Sequence, residues 1–529
     1  MRQPARQPAP RRPSFWLVAP VVSMAAFMEV LDISIANVAL QHIAGDLGAG
    51  PDEATWVLTS YLVTNAIVLP LSGWLSTVLG RKRFLLACIA GFSVSSLACG
   101  LAPSLAVLIC FRAAQGLTGG GLQPVAQAIL NDDAQPSQRA MAFALFGMAV
   151  VAAPAIGPTL GGWITDNYNW RWVFLINLPV GAILFFFLSM LISDPPDFVA
   201  ERRRRLRQGI RVDYVGLGLL ALGLGCLQIV LDRGQEDDWF GSRFILLMAI
   251  ASGVGLLLFL VWELLREDPI VDLRLLTNRT FAVANVLMLM LGFVLLGTTV
   301  LLPELVQEFY GYTATDAGLV ISPGGFTILI LLPLVGRLLG IVDVRVIIAF
   351  GLVVSIAALY YMGYFWPGSS YMQFLWARVF QAVGFAFLFI PINTVAFSDL
   401  PRTASSNAAA IINLSRNIGG SIGISVVTTG IARGEQAHQV ALIEHVTPQS
   451  PFYRSMIDQL VSTFVREGLS ASEALRHAEA QVYQQVQQQA QLLAFLDDFR
   501  WLALGFLVLL PLVLLLKPLP PGGTPPPAH

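Results

Sequence analysis

Runs of predominantly apolar residues recur along this chain, each close to the roughly 20 residues that one helical crossing of a bilayer needs. They fall near 15–39, 55–78, 84–101, 105–130, 140–163, 172–192, 213–231, 243–262, 281–302, 315–337, 344–362, 371–396, 407–430 and 499–516, fourteen in all. Hydrocarbon offers no partner to a free N–H or C=O, so such runs cross as helices. Only 12% of the residues are charged and 56% are hydrophobic, against about 25% charged in soluble domains. The fold class that follows is an all-α polytopic membrane protein.

Orientation follows from the basic residues of short loops. With the N-terminus inside, the inner loops hold Arg81, Lys82, Arg83, Arg139, Arg202 to Arg205, Arg207, Arg211, Arg266, Arg274, Arg279, Arg337, Arg345 and Arg402. The outer short loops hold chiefly Arg171, Arg233 and Arg243. An even number of spans then leaves both termini in the cytoplasm. The run 201–207 is expected to anchor the inner face at anionic lipid.

The chain repeats itself at long range. LPLSGWL at 69–75 returns as LPLVGRL at 332–338, Arg112-x-x-Gln115 as Arg378-x-x-Gln381, and Gly157-x-x-x-Gly161 as Gly419-x-x-x-Gly423. Anchors in the same order divide the chain into a cytoplasmic N-terminus (1–14), a six-helix half (15–192), a basic loop with an inserted helix pair and connector (193–280), a second six-helix half (281–516) and a cytoplasmic Pro/Gly-rich tail (517–529). Parallel repeats of this kind place a binding site near the bilayer midplane, between the halves. Within the second half, 431–498 is polar and glutamine-rich, and reads as a helical hairpin outside the membrane. Ser450-Pro451 starts one helix that Gly468 ends, and Ser470-x-x-Glu473 caps the next.

Charged residues inside spans are costly, about 2.5–3.5 kcal/mol at the bilayer centre on insertion scales, so each needs a reason. Glu29 and Asp32 lie three apart on one face of the first span. They read either as structural partners for Arg112 or as proton carriers whose affinity Arg112 sets. Arg378 reads as a residue that hydrogen-bonds the backbone carbonyls of a neighbouring helix or as a cavity cation, with Gln115 a further cavity candidate. Arg416, between Asn413 and Asn417, suits a water-filled cavity or an anionic substrate. Glu304, at the outer end of the ninth span, is expected in solvent. The stretch Gly147 to Gly162, with Pro154, Gly157, Pro158, Gly161 and Gly162, reads as a bent helix thin enough for close crossing, and its return at Gly419 and Gly423 favours a conformational motif that slides during alternating access over a static crossing. Cys88, Cys99, Cys110 and Cys226 lie in apolar runs and read as packing. A net charge of −1 gives no nucleic-acid signal, no His/Cys spacing suggests a metal, and no catalytic constellation is visible.

These strings resemble the major facilitator superfamily, in particular its fourteen-span drug/proton antiporters of Gram-negative bacteria. LDISIANVAL at 31–40 is similar to that family's first-span signature, GWLSTVLGRK from Gly73 through Gly80, Arg81 and Lys82 to its motif A, LICFRAAQGLTGGGLQP at 108–124 to motif B, and Gly147–Gly162 to the antiporter motif C. The resemblance implies a bacterial inner-membrane multidrug efflux pump that exchanges protons, its coupling ion, for lipophilic compounds without a further cofactor. It implies two partners, a periplasmic adaptor of the EmrA type and an outer-membrane TolC-like channel. By position it assigns Asp32 as the first-span acid and Arg112 as the motif B arginine. The resemblance makes Gly73, Gly80, Arg81 and Lys82 part of a conformational motif, but motif A carries an acid where Thr77 stands here, which removes one partner of its charge-pair latch and leaves Arg81 and Lys82 mainly as topology anchors. Proton-coupled uptake on the same fold stays open, with a membrane-embedded enzyme or scaffold as the remaining classes.

Overall fold

A computed structural model describes residues 14–135, 138–192, 213–266, 269–401, 404–447 and 449–518. The basic run 201–207, Arg402, residues 1–13 of the N-terminus and the tail from 519 lie outside the described residues.

The described chain is helical throughout. The first half comprises α1 (Phe15–Leu47), α2 (Trp56–Leu79), α3 (Arg81–Gly100), α4 (Leu105–Gly119), α5 (Leu122–Asp133), α6 (Arg139–Asn167) and α7 (Asn177–Leu191). An inserted pair, α8 (Tyr214–Arg233) and α9 (Arg243–Leu265), follows. The second half comprises α10 (Arg279–Glu304), α11 (Ala314–Leu338), α12 (Val344–Met362), α13 (Tyr371–Ala396), α14 (Ser405–Ile443), α15 (Pro451–Arg466) and α16 (Ala471–Leu509). Here α4 and α5 form one crossing broken at Gly120–Gly121, the counterpart of α13.

Twelve helices are long and apolar enough to cross a membrane, and the bent α6 makes thirteen. The sequence expectation was fourteen. The helix left out is α14, whose membrane stretch carries Asn413, Arg416, Asn417, Gly419 and Gly420. Asn413, Arg416, Gly419 and Gly420 are buried, so that polarity faces protein. On the lipid side, α9 exposes Leu247, Ile250, Val254, Leu257 and Leu258, as a helix bathed in hydrocarbon does. Cys110, expected in the core, is exposed on the outside of the bundle, whereas Cys88, Cys99 and Cys226 are buried.

The two halves pack by the same plan. In the first, α1 lies on α6, α4 on both α2 and α3, and α3 on α7; in the second, α10 lies on α14, α13 on both α11 and α12, and α12 on α16. The halves meet where α6 crosses α11 and α2 crosses α14, a symmetric exchange. Of the inserted pair, α8 leans on α2 and α14. There Gln228 Nε2 donates to Ser421 Oγ (3.1 Å), Arg233 Nη1 donates to Thr55 Oγ1 (2.6 Å), and Asp232 accepts from the Thr59 hydroxyl.

The segment 431–498 is helical, as its caps predicted, but the two spans flanking it also run on into it. α14 and α16 are each 39 residues long, and α15 lies on α16. Gly468 takes φ +98°, a left-handed turn after α15. Ser470 and Glu473 form the capping box at the start of α16, and the Ser470 hydroxyl and N–H hold the Glu473 carboxyl below its ordinary range.

Candidate functional site: two buried arginine clusters and the seam between the halves

In the first half the helix crossings bring one carboxylate and one guanidinium together with no exposure of either. Arg112 Nη1 donates to Asp32 Oδ2 at 2.6 Å, and both side chains have 0% relative exposure. Gln115 Nε2 (2.9 Å) and Asn177 Nδ2 (2.6 Å) donate to Asp32 Oδ1. Arg112 Nη1 also reaches Gln115 Oε1 at 2.8 Å, and its Nε donates to the Val57 carbonyl at 3.1 Å. The guanidinium carbon lies 4.4 Å from the Tyr61 ring centroid and 5.4 Å from that of Phe174, which places π-electron density around a buried cation. Four elements (α1, α4, α7 and the end of α2) thus hold a carboxylate whose known partners are all donors.

Glu29 does not join this cluster. It accepts from Asn65 Nδ2 at 2.9 Å, with Gln123 and the charge of Arg416 beside it. It faces the second half, where Arg416 donates to Gln123 Oε1 and, at 3.5 Å, to Asn417 Oδ1. The shared helix face predicted for Glu29 and Asp32 is therefore divided. One turn of α1 sends Asp32 into its own half and Glu29 toward the other.

From Glu29 a seam of side-chain bonds runs along α5 and α14 to one end of the protein. Asn413 Nδ2 donates to Gln127, Gln127 Nε2 to Asn393, and Asn131 Nδ2 to Ser405 Oγ at 3.0 Å. At that end Arg81 is 1% exposed; its Nε donates to Ser406 Oγ at 3.0 Å and its Nη1 pairs with Asp132. The expectation that Arg81 is a topology anchor is thereby corrected: it is a buried bridge between the halves, and Asp132 supplies the acid that Thr77 does not. Lys82 donates to the Ser189 carbonyl at 2.6 Å. Gly73 leaves no room for a Cβ against Asn407, and Gly80 takes φ +91° at the end of α2. Phe143 stacks on Phe397 (5.4 Å) and Phe146 on Phe389 (6.5 Å), closing the same end with apolar contact.

In the second half, Arg378 repeats the geometry of Arg112 without the acid. Its Nη1 donates to Gln381 Oε1 at 2.7 Å and to Thr298 Oγ1 at 3.0 Å, and its Nη2 to Thr299 Oγ1 at 3.1 Å. These partners are side chains, not the backbone carbonyls that the sequence suggested.

The Gly-x-x-x-Gly strings occupy matching crossings, each inside its own half. A Cβ on Gly157 would fall on the Ser34 hydroxyl, and one on Gly161 would lie 3.1 Å from Ile35 Cγ2, both on α1. A Cβ on Gly419 or Gly423 would fall on the carbonyl oxygen of Leu289 or Phe293, both on α10. Gly162 has ordinary space beside Val38, whereas Gly147 faces Phe389 of the other half. α6 bends by 41° between Pro154 and Thr159, the interval that holds Pro158.

Sequence reading missed Asn65, Gln123, Gln127, Asn131, Asp132, Asn177, Asn393 and Ser96, whose hydroxyl accepts from Gln115 Nε2 at 3.2 Å and from Asn177 Nδ2 at 3.0 Å. For Gln123, Gln127 and Asn131 a signal existed, since amides four apart in an apolar run mark one helix face. Asn177 and Ser96 had none, because each is a lone small polar residue.

Comparison with known proteins bears on the family and the fold. The family model of the Major Facilitator Superfamily matches residues 22–424. The multidrug export protein EmrB of Escherichia coli (strain K12) is 39% identical over 500 residues, 94% of this chain and 94% of that one. The fatty acid resistance protein FarB of Neisseria gonorrhoeae is 36% identical over 497 residues, 94% of this chain and 95% of that one. Among solved structures, the human organic anion transporter MFSD10 superposes with a TM-score of 0.60 at 14% identity, over 95% of this chain and 100% of that one, which is a likeness of fold. With its two six-helix halves and the inserted pair, the chain belongs to the major facilitator superfamily.

Proposed function

We propose that the chain is a proton-driven multidrug efflux transporter, a drug/proton antiporter of the bacterial inner membrane with fourteen spans and both termini in the cytoplasm. The observation that carries the reading is the fully buried Asp32–Arg112 pair. Removing one partner of a buried ion pair typically costs about 3–5 kcal/mol. Moving a two-state equilibrium from 1:99 to 99:1 takes about 5.5 kcal/mol. One proton arriving on Asp32 therefore acts on the scale needed to shift an equilibrium between two arrangements of the halves. In the arrangement described, the seam between α5 and α14 joins the halves at the end assigned to the cytoplasm. Substrate, a lipophilic compound, binds between the halves near Gln123, Asn413, Arg416 and Asn417.

The 36–39% identity to multidrug export proteins over nearly the whole chain supports export over uptake. Accumulation of a fluorescent lipophilic dye in cells tests it. The intact chain lowers accumulation and an uncoupler restores it. Asp32→Asn, which keeps the shape of the protonated acid, removes the effect at equal membrane levels; full export by that variant would refute the role of Asp32. Dye accumulating above the vector control would instead show uptake.

The helical region formed by α15 and the outer parts of α14 and α16 is proposed to dock an EmrA-type adaptor and, through it, a TolC-like channel. Loops of this length are uncommon without a role. Deleting 440–490 is expected to leave membrane insertion intact and abolish co-purification with the adaptor. An intact complex would overturn the docking role.

A further inference from the structure

A second pair of carboxyl groups lies apart from Asp32, where α16 passes from the extramembrane region into its apolar run. Asp498 on α16 is 6% exposed, and its Oδ2 is buried without a hydrogen-bond partner. α14 lies so close that a Cβ on Gly430 would fall on the Asp498 carboxylate. Among the described residues, the charges that bear on Asp498 are both negative, those of Asp497 and of Glu304 from α10. The nearby basic side chains are engaged elsewhere. His438 of α14 lies 2.9 Å from Asp497 Oδ2, and Arg500 Nη1 donates to Asp497 Oδ1 at 2.9 Å while its Nε holds the Gly363 carbonyl at the end of α12. Arg500 also lies over the Tyr364 ring, and Glu308 accepts from Gln491 Nε2 at 3.0 Å. Glu304, expected in solvent, is half-buried. Directly after it α10 widens into a π-helical turn, Leu305–Phe309, an irregularity frequent at functional sites.

We propose that Asp498 and Glu304 form a proton-binding carboxyl pair at the outer mouth of the second half, distinct from Asp32. A buried carboxylate flanked by two like charges, with no cation and an unbonded oxygen, has one inexpensive way to remain there, which is to bind a proton. Two carboxyls without a third donor suit a proton better than a metal ion; among the described residues no group of three or more metal-binding side chains occurs. Because α14 and α16 also build the extramembrane region, a proton gained or lost at Asp498 acts on the helices that connect that region to the second half. The inference rests on proton-driven export only for what the proton does, not for whether it binds.

The test is pH-difference infrared spectroscopy on the full-length protein in lipid nanodiscs, read at the carboxylic C=O stretch. The intact protein shows a protonated-carboxyl band that Asp498→Asn abolishes, that Glu304→Gln displaces along the pH axis, and that Asp32→Asn leaves in place. Proton uptake over the same pH interval falls by one per protein in Asp498→Asn. If Asp498→Asn retains the full band and the full uptake, the proposal is wrong. Should that variant not fold, an unmoved titration in Glu304→Gln overturns it equally. Loss of export in Asp32→Asn with this band intact separates the two sites.

Discussion

The two halves hold the same arginine in the same way but surround it with different chemistry. Arg112 and Arg378 each bond a glutamine three residues on, at 2.8 and 2.7 Å. The interval that separates the two arginines also carries Asp32 onto Thr298. Where the first half sets a carboxylate opposite the guanidinium, the second sets a hydroxyl. A hydroxyl satisfies a donor without changing its charge, whereas one proton turns a carboxylate from anion to neutral acid. The difference teaches that one helix-packing plan supplies two sockets and only one of them is charged to switch.

That asymmetry is open to direct attack, beginning where the largest effect is expected. Arg112→Gln leaves Asp32 buried without its cation and should abolish dye export. Arg378→Gln removes only hydrogen bonds to neutral groups, worth about 0.5–1.5 kcal/mol each or up to about 3 where the donor is charged, and should keep a measurable fraction. Equal loss in initial efflux rates at matched membrane levels would erase the distinction. Next, Thr298→Asp places an acid opposite Arg378 and tests whether the second socket can substitute for the first. Combined with Asp32→Asn it should fail to restore proton-coupled export, because the second acid of α1, Glu29, has Leu295 at the matching position of the second half. Restoration in that double variant would show that the position of the acid is immaterial.

The smallest effect concerns the matching glycine crossings. A Cβ at Gly423 meets only backbone, the Phe293 carbonyl and Cα, while one at Gly157 meets the Ser34 side chain, whose hydroxyl can rotate but whose Cβ, 2.5 Å away, moves only with α1. Gly423→Ala should therefore lower thermal stability in detergent more than Gly157→Ala, within the range of about 1–3 kcal/mol that overpacking costs. The reverse order would mean that the bend of α6, absent from α14, governs the first crossing.

The helix pattern, the repeat and the buried charges were legible because each is written in one dimension. An apolar run has a length, a repeat has an interval, and an intramembrane acid is conspicuous by composition alone. The capping box at Ser470 and the turn at Gly468 were readable for the same reason, since their chemistry is local. Partnership was not. Glu29 and Asp32 are neighbours on one turn, yet the packing of α2 against α4 and of α5 against α14 gives one Arg112 and the other the seam. Arg81 read as a surface anchor because Asp132 and Ser406 lie far away in sequence. The run 407–430 was legible as a span, but that α14 spends its polarity on buried contacts is revealed only by the positions of α10 and α5.

The sequence by itself determined that this chain crosses a membrane many times as two related halves with an acid in the first span, since bilayer thickness and the cost of buried charge act on each segment separately. Tertiary structure decided which charges meet, which end of the seam is closed, and that Asp498 stands without a cation. Those outcomes depend on distances between helices remote in the chain, and no local propensity encodes them.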